Sequence, residues 1–380
     1  MHVNVDMYLR RCYINSEREG GMEMLKFIKE RLNDYNANAF VNELAQASKQ
    51  LGALEAKIDS YQFNGILIPM LQKKEAVSSM YIEGTQTTIT DVLKKEVDST
   101  PATDKIMLEV ANHTKTLIYG ADYLRTEKFT NGFMKKIHEY MMQDIIAEEH
   151  KSTLGKYKVK DNRITNSAGT VVYTPPAAKE VKKYMDELIG FMNDFEDGIN
   201  PLIKAAIIHS QFESIHPYSD GNGRVGRLLV SLYLYKAKVI NFPFFYISEA
   251  ISIDKVVYYN MLTNSRESNY DEWIKYFLKK ITLQTQKHIG YIDALNALYQ
   301  RTKESVKNSI NTAKYDEIIE CIFTHPVLNA DYFEDKLTVS RGQAVRYLNV
   351  LEDIHVLHGD DRKRGRTFYF LDLLELARGV

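Results

Sequence analysis

Apolar residues recur at helical spacing along most of this chain. Met24, Leu25, Ile28 and Leu32, then Leu44, Leu51, Leu54 and Ile58, predict helix over 22–58. A second helix is expected from Pro69, a residue suited to a first turn, to Glu83, with Gly84 as its stop. Ile106, Val110, His113 and Leu117 carry the helical period into 105–150. The texture then changes. KYKVKDNRITNSAGTVVYTPP alternates, holds a turn signal (NSAG) between two β-prone runs, and predicts a hairpin at 157–173. Helices resume at about 178–195, at 201–215, after Gly223 to about Ala237, and over 249–310. The tail reads differently. Tyr315–Phe323 and Asp331–Leu337 are short amphipathic helices, and Ser340 is placed to N-cap a third through Tyr347, Leu348 and Leu351. Two β-prone runs around a basic turn follow, which is the order of a winged helix-turn-helix. The expected fold class is mostly α, with one hairpin and a winged tail.

Composition supports this and narrows the partners. Nineteen Gly and eight Pro among 380 residues is a low share of turn residues, against an average of about 12%. Apolar residues at 44% and charged residues at 26% indicate a globular chain. Forty-nine basic and fifty acidic side chains give a net charge of -1, so no global field selects nucleic acid or an anionic membrane. Cys12 and Cys321 form no disulfide framework or metal spacing, no signal peptide is visible, and no apolar run reaches the about 18 residues of a membrane span. A reducing cytoplasm is the expected location.

The chemistry concentrates in residues 216–227, HPYSDGNGRVGR. Helical periodicity leads up to it through Ile208, Phe212 and Ile215, and Pro217 forbids continuation. Gly221 and Gly223 permit close backbone approach, and Arg224 is expected to open the next helix. A Gly-rich loop feeding a helix N-terminus presents unpaired N–H groups to an anion. Arg224 and Arg227, three apart, are expected to point the same way, which suits a di- or triphosphate. Asp220 is a candidate Mg²⁺ ligand and His216 a candidate general base. Gly221, Gly223 and Gly226 satisfy G-x-G-x-x-G, but no strand precedes them, so the dinucleotide fingerprint is rejected; no G-K-[ST] exists for a P-loop.

This stretch resembles the signature of Fic-domain proteins, H-P-F-x-D-G-N-G-R-x-x-R, departing only at Tyr218 in place of Phe. The resemblance extends over roughly residues 60–280 and includes the preceding AAIIHSQFESI. It implies a Fic-type helical bundle and a protein adenylyltransferase, moving AMP from Mg-ATP to a hydroxyl of a target protein or of itself. By that resemblance His216 deprotonates the hydroxyl, Asp220 holds Mg²⁺, and the Gly221–Asn222–Gly223 backbone, with Gly226 behind it, forms the anion hole. Arg224 would meet the β-phosphate and Arg227 the γ-phosphate. Gly223, where a phosphoryl-transferring sub-family carries Lys, favours nucleotidyl transfer. The hairpin resembles the family's flap, with Asn162, Arg163, Ile164 and Thr165 over nucleotide and target, and Tyr258 and Tyr259 resemble its adenine-pocket pair. His209 and Glu213 are expected to support the loop rather than to catalyse.

Residues 79–84, SMYIEG, match the family's inhibitory motif [ST]-x-x-x-E-[GN]. A carboxylate at a helix C-terminus is unfavourable for the helix dipole. The resemblance supplies its partner: Glu83, steadied by Ser79, would engage Arg227 in place of the γ-phosphate. The implied organisation is an N-terminal region with the inhibitory helix (1–100), a catalytic core (101–285), a helical linker (286–312) and a winged-helix domain (313–380). Removal of AMP by the same site is one alternative. A DNA-binding regulator acting through 313–380, with Arg362–Arg366 on phosphates, is the other. The target protein, its Ser, Thr or Tyr hydroxyl, the nucleotide base and homodimerisation stay open.

Overall fold

A computed structural model describes residues 25–32, 36–60, 64–96, 104–165, 169–267, 270–362 and 364–379. The start of the helix expected from 22, the hairpin turn 166–168 and Cys12 lie outside them. The chain is mostly helical, as its periodicity required. The expected helix at 22–58 is two pieces: a single turn, Ile28–Arg31, and α1, Val41–Asp59. The apolar period continues across the gap, which is why the sequence reads as continuous.

Helix α2 spans Asn64–Ile82, starting five residues before the expected Pro69, which is its sixth residue. A proline there removes one intrahelical hydrogen bond near the helix start. Gly84, with φ 97, lets the helix stop, and Thr85 N–H returns to the Met80 carbonyl at 3.1 Å. Thr88 then caps α3, Ile89–Lys95, in a reciprocal box with Asp91. The expected helix over 105–150 is interrupted. α4 runs Lys105–Thr126, and α5, Asn131–Met142, begins where the Thr130 hydroxyl accepts from Phe133 N–H.

The hairpin is present. Strands β1 (Ile164–Thr165) and β2 (Val171–Tyr173) pair antiparallel with an irregular register. The helices that follow are α6, Val181–Asn193, α7, Pro201–Ile215, α8, Asn222–Lys236, α9, Ser248–Ser252, and α10, Lys255–Glu267. Pro201 is the first residue of α7 behind an Asn200 cap, the position its missing N–H tolerates. Every residue from Leu202 to Ile215 is buried. α7 is therefore the central pillar of the core, with α8 packed on it.

Helix α11, Tyr270–Ser309, has 40 residues, about 60 Å at 1.5 Å per residue. It runs through residue 285 without interruption. Trp273 anchors it to the pillar, its indole N–H donating to the Ala206 carbonyl at 2.8 Å. The tail follows as α12 (Tyr315–Thr324), β3 (Val327–Asn329), α13 (Ala330–Leu337), α14 (Arg341–Asp353), β4 (His358–Gly359), β5 (Thr367–Tyr369) and α15 (Leu371–Arg378). Ser340 caps α14 in a box with Gln343, as its position predicts. Strand β3 and helix α15 are additions to the expected order, and the sheet order is β3-β5-β4. The tail packs on α2 and α3: α12 touches α2, the Arg378 Nε donates to Thr90 Oγ1 at 2.9 Å, and the Lys94 ammonium lies over the Tyr369 ring. No helix among the described residues is long and apolar enough to cross a membrane.

Candidate functional site: a histidine loop, a helix N-terminus and an occupied arginine

The HPYSDGNGRVGR segment joins α7 to α8. His216 ends α7 in the left-handed region, φ 48. Pro217 and Tyr218 follow, and Gly221, φ 79, turns the chain into α8. The loop is stitched by its own asparagine: Asn222 Oδ1 accepts from Tyr218 N–H and Nδ2 donates to the Tyr218 carbonyl, both at 2.8 Å. Asn222 and Gly223 are thus the first residues of α8, two earlier than the expected Arg224. The N–H groups from Asn222 to Arg224 have no intrahelical partner and crown the helix end. A β-carbon on Gly221 would fall 2.5 Å from Met142 Sδ, so this position is closed to other side chains.

Tyr218, the one departure from the signature, is fully buried, and its hydroxyl donates to the Met134 carbonyl at 2.7 Å. The extra oxygen is satisfied, so the substitution is accommodated. His138 stacks on the ring at 3.9 Å. Gly155 N–H donates to His138 Nδ1 at 3.1 Å, which leaves Nε2–H to donate to the Asp220 carbonyl at 3.0 Å. Burial pushes the His138 pKa down to about 4, consistent with this neutral tautomer.

His216 is likewise neutral at pH 7. Burial, then the cations of Lys158 and Arg266, push its pKa down to about 4. A neutral imidazole is a competent proton acceptor. Asp220 accepts from Gly221 N–H at 2.6 Å and from Arg224 at 3.3 Å, and its side chain is partly exposed. Among the described residues no group of three or more His, Cys, Asp or Glu has metal-holding geometry.

The two arginines do not converge on one partner. Arg224 lies between Asp220 and Glu109 of α4, the latter at 3.6 Å. Arg227 is buried and turned to the end of α2. It donates to Glu83 Oε1 at 2.7 Å and to the Ser79 hydroxyl at 2.9 and 3.1 Å, with a further bond to the Ser79 carbonyl at 3.1 Å. Burial is the largest influence on Arg227 and opposes its charge, but Glu83, Tyr258 and Glu213 together outweigh it and the pKa rises. Ser79, Glu83 and Arg227 are thus brought together.

The tyrosine rings lie 5.2 Å apart but differ in exposure. Tyr258 is 1% exposed and hydrogen-bonded to His209 Nε2 at 2.9 Å, with His209 Nδ1 against the Gly226 carbonyl. It is a core residue, and both ring nitrogens of His209 are hydrogen-bonded. Tyr259 is half-exposed, and its hydroxyl donates to the Ile82 carbonyl at 3.3 Å, beside Glu83. In the flap, the Asn162 amide donates to the Tyr218 carbonyl at 3.2 Å, Arg163 is exposed, and Ile164 and Thr165 form β1.

Sequence reasoning missed four charged neighbours. Glu75 is fully buried and accepts from Ser248 N–H at 3.1 Å and from its hydroxyl; burial lifts its pKa to about 7. It precedes Ser79 and Glu83 by one and two turns, a spacing of four that was available in the sequence. Glu109, Lys158 and Arg266 reach the site only through tertiary packing and left no such signal. Glu213, placed as a supporting residue, is buried with its pKa pushed up to about 7 by burial.

A neutral histidine, a helix N-terminus and a buried arginine behind it thus lie together around one loop. Residues 128–234 match the Fic/DOC family, residues 41–122 its N-terminal region, and residues 298–373 the C-terminal domain of SoFic-like protein adenylyltransferases. The chain is a Fic/DOC-domain protein. It is 28% identical over 168 residues to the protein adenylyltransferase fic-1 of Caenorhabditis elegans, covering 43% of this chain and 32% of that one. It is 26% identical over 184 residues to a probable protein adenylyltransferase of Aquifex aeolicus, covering 46% and 51%. The chain thus spans between a third and a half of these relatives' lengths. A solved Fic family protein from Desulfovibrio desulfuricans shares the fold, with TM-score 0.58, 19% identity, and 89% and 97% of the two chains covered.

Proposed function

We propose that this chain is an auto-inhibited protein adenylyltransferase, which transfers AMP from Mg-ATP to a hydroxyl side chain of a protein. The observation that carries this is the pairing of Arg227 with Glu83 and Ser79 directly beside the histidine loop. The target hydroxyl oxygen attacks the α-phosphorus. The bond from that phosphorus to the bridging β-phosphate oxygen breaks, pyrophosphate leaves, and neutral His216 takes the hydroxyl proton. The free N–H groups at Asn222–Arg224 and the Arg224 guanidinium stabilise phosphate charge. Arg227 would hold the γ-phosphate once Glu83 withdraws.

Asp220 fits Mg²⁺: a partly exposed carboxylate beside a phosphate site is the one or two carboxylates this ion typically takes. When bound, Mg²⁺ neutralises phosphate charge. The flap at Asn162–Thr165 covers the loop, and Tyr259 is the candidate wall for the base. A target protein follows from the reaction. The DNA alternative has less support, because three tail arginines are paired: Arg341 with Asp331, Arg362 with Asp360, and Arg366 with Glu352.

The test is Glu83→Gly protein with α-labelled ATP or GTP, and His216→Ala as the blank. Label should appear on protein in Glu83→Gly, well above wild type, and vanish with His216→Ala. Equal labelling of Glu83→Gly and wild type removes the brake; label that persists in His216→Ala removes the base. AMP release from pre-modified protein, with no transfer, would assign hydrolytic removal of AMP instead.

A further inference from the structure

The flap and the histidine loop meet at one carbonyl. Tyr218 O accepts from Asn222 Nδ2 at 2.8 Å and from the flap's Asn162 Nδ2 at 3.2 Å. The other side of Asn162 is held by Lys158, whose ammonium donates to Oδ1 at 2.6 Å. Lys158 N–H also donates to the Pro217 carbonyl at 2.8 Å. The residue is 3% exposed, so an entire lysine side chain is committed to this bracket. A buried ammonium carries a desolvation cost that a structural peg of neutral chemistry would avoid. Burial duly pushes its pKa down to about 8, with Asp161 opposing.

We infer that Lys158 is a positioning residue for the adenylyl transfer: it fastens the flap to the Pro217–Tyr218 turn and sets the electrostatic environment of His216. This rests on His216 being the base. The charged groups facing His216 come from three elements: Lys158 at the foot of the flap, Arg266 from α10, and Glu83 beyond the end of α2. Arg266 is tied to the opposite strand of the hairpin. It lies 3.8 Å over the Tyr173 ring and donates to Ser214 Oγ at 3.2 Å, while the Tyr173 hydroxyl donates to the Ser214 carbonyl at 3.0 Å. Each side of the flap therefore brings one cation to the imidazole. Burial does most to keep its proton off, and the two cations add to it. Removing the Lys158 charge raises the His216 pKa toward its ordinary value and frees Asn162.

The experiment compares Lys158→Met and Lys158→Arg, each in full-length wild-type and Glu83→Gly protein. Titration of ring-labelled His216 by NMR reads the pKa without any turnover. It should rise by about one unit in Lys158→Met and return in Lys158→Arg. Amide exchange across 158–173 should quicken in Lys158→Met alone. In the Glu83→Gly background, kcat for AMP transfer should fall about ten-fold or more in Lys158→Met, with KM for ATP little changed. The acid limb of the rate profile should move up with the His216 pKa, and Lys158→Arg should restore most of the rate. A folded Lys158→Met protein with an unshifted His216 titration and unchanged flap exchange overturns the inference. Should Glu83→Gly itself transfer no AMP, the proposed activity fails, while the NMR and exchange results still decide the role of Lys158.

Discussion

Glu83 occupies the space of the β-carbon that Gly223 lacks: its Oε1 stands 2.2 Å from where that atom would be. The carboxylate reaches Arg227 by passing over the bare backbone of the first turn of α8. Gly223→Ala should therefore push Glu83 off its seat. In a double-mutant cycle with Glu83→Gly, the alanine should destabilise the wild-type protein and be neutral or stabilising in the glycine background. There its helix propensity acts alone, apart from a contact with the flexible end of Arg227. The expected coupling is about 1–2 kcal/mol, read from denaturant midpoints. Additive effects would disprove the close approach.

Ser79 gives Arg227 a hydroxyl and a carbonyl, whereas Glu83 gives it a charge. Ser79→Ala keeps the carbonyl and the charge. It should release the brake less than Glu83→Gly does, and cost about 1 kcal/mol of stability for the lost bond to a buried guanidinium. Side-by-side labelling rates and melting curves check the order. Greater release by Ser79→Ala than by Glu83→Gly would contradict it.

Glu213 gives the protein a pH signature. Its folded pKa, about 7, lies above the ordinary 4.5. Between these values the folded chain holds a proton that the unfolded chain has released. Stability present below pH 4.5 is thus lost as pH rises toward 7, by on the order of 3 kcal/mol for this group. Glu75 slopes the same way. Glu213→Gln should flatten the fall in denaturant midpoint between pH 5 and pH 8, and should be the more stable protein at pH 8. Parallel curves would show that Glu213 is ionised throughout.

Tyr218→Phe restores the family's usual residue and removes the hydrogen bond to the Met134 carbonyl. A loss of about 1 kcal/mol is expected, measured by chemical denaturation. A gain would mean that the hydroxyl is a burden tolerated for another reason.

The loop and the Ser79–Glu83 segment were legible because each lies within one short stretch, where spacing implies proximity: His216 to Arg227, and Ser79 to Glu83. The hairpin was legible from its alternation. Spacing does not say which helix face turns inward, so adjacent Tyr258 and Tyr259 looked equivalent, yet one is core and the other half-exposed. Nor does it reveal breaks that leave the apolar period intact, as between Arg31 and Val41. Glu109, Lys158 and Arg266 come to the site from three separate elements. Only the packed fold brings the charges of Lys158 and Arg266 to bear on His216, and sets Arg224 between Asp220 and Glu109.

The contact of Arg378 with Thr90 joins residues 288 apart in sequence. On a ribosome adding about 5–20 residues per second, that separation is roughly 15–60 s of synthesis. For that interval α3, the helix that follows Glu83, emerges without the surface that later covers it. The histidine loop and its arginines are made midway through the wait. The nascent chain thus holds all the residues of the loop and of the Glu83 pair before it has the tail that packs on the helices around Glu83.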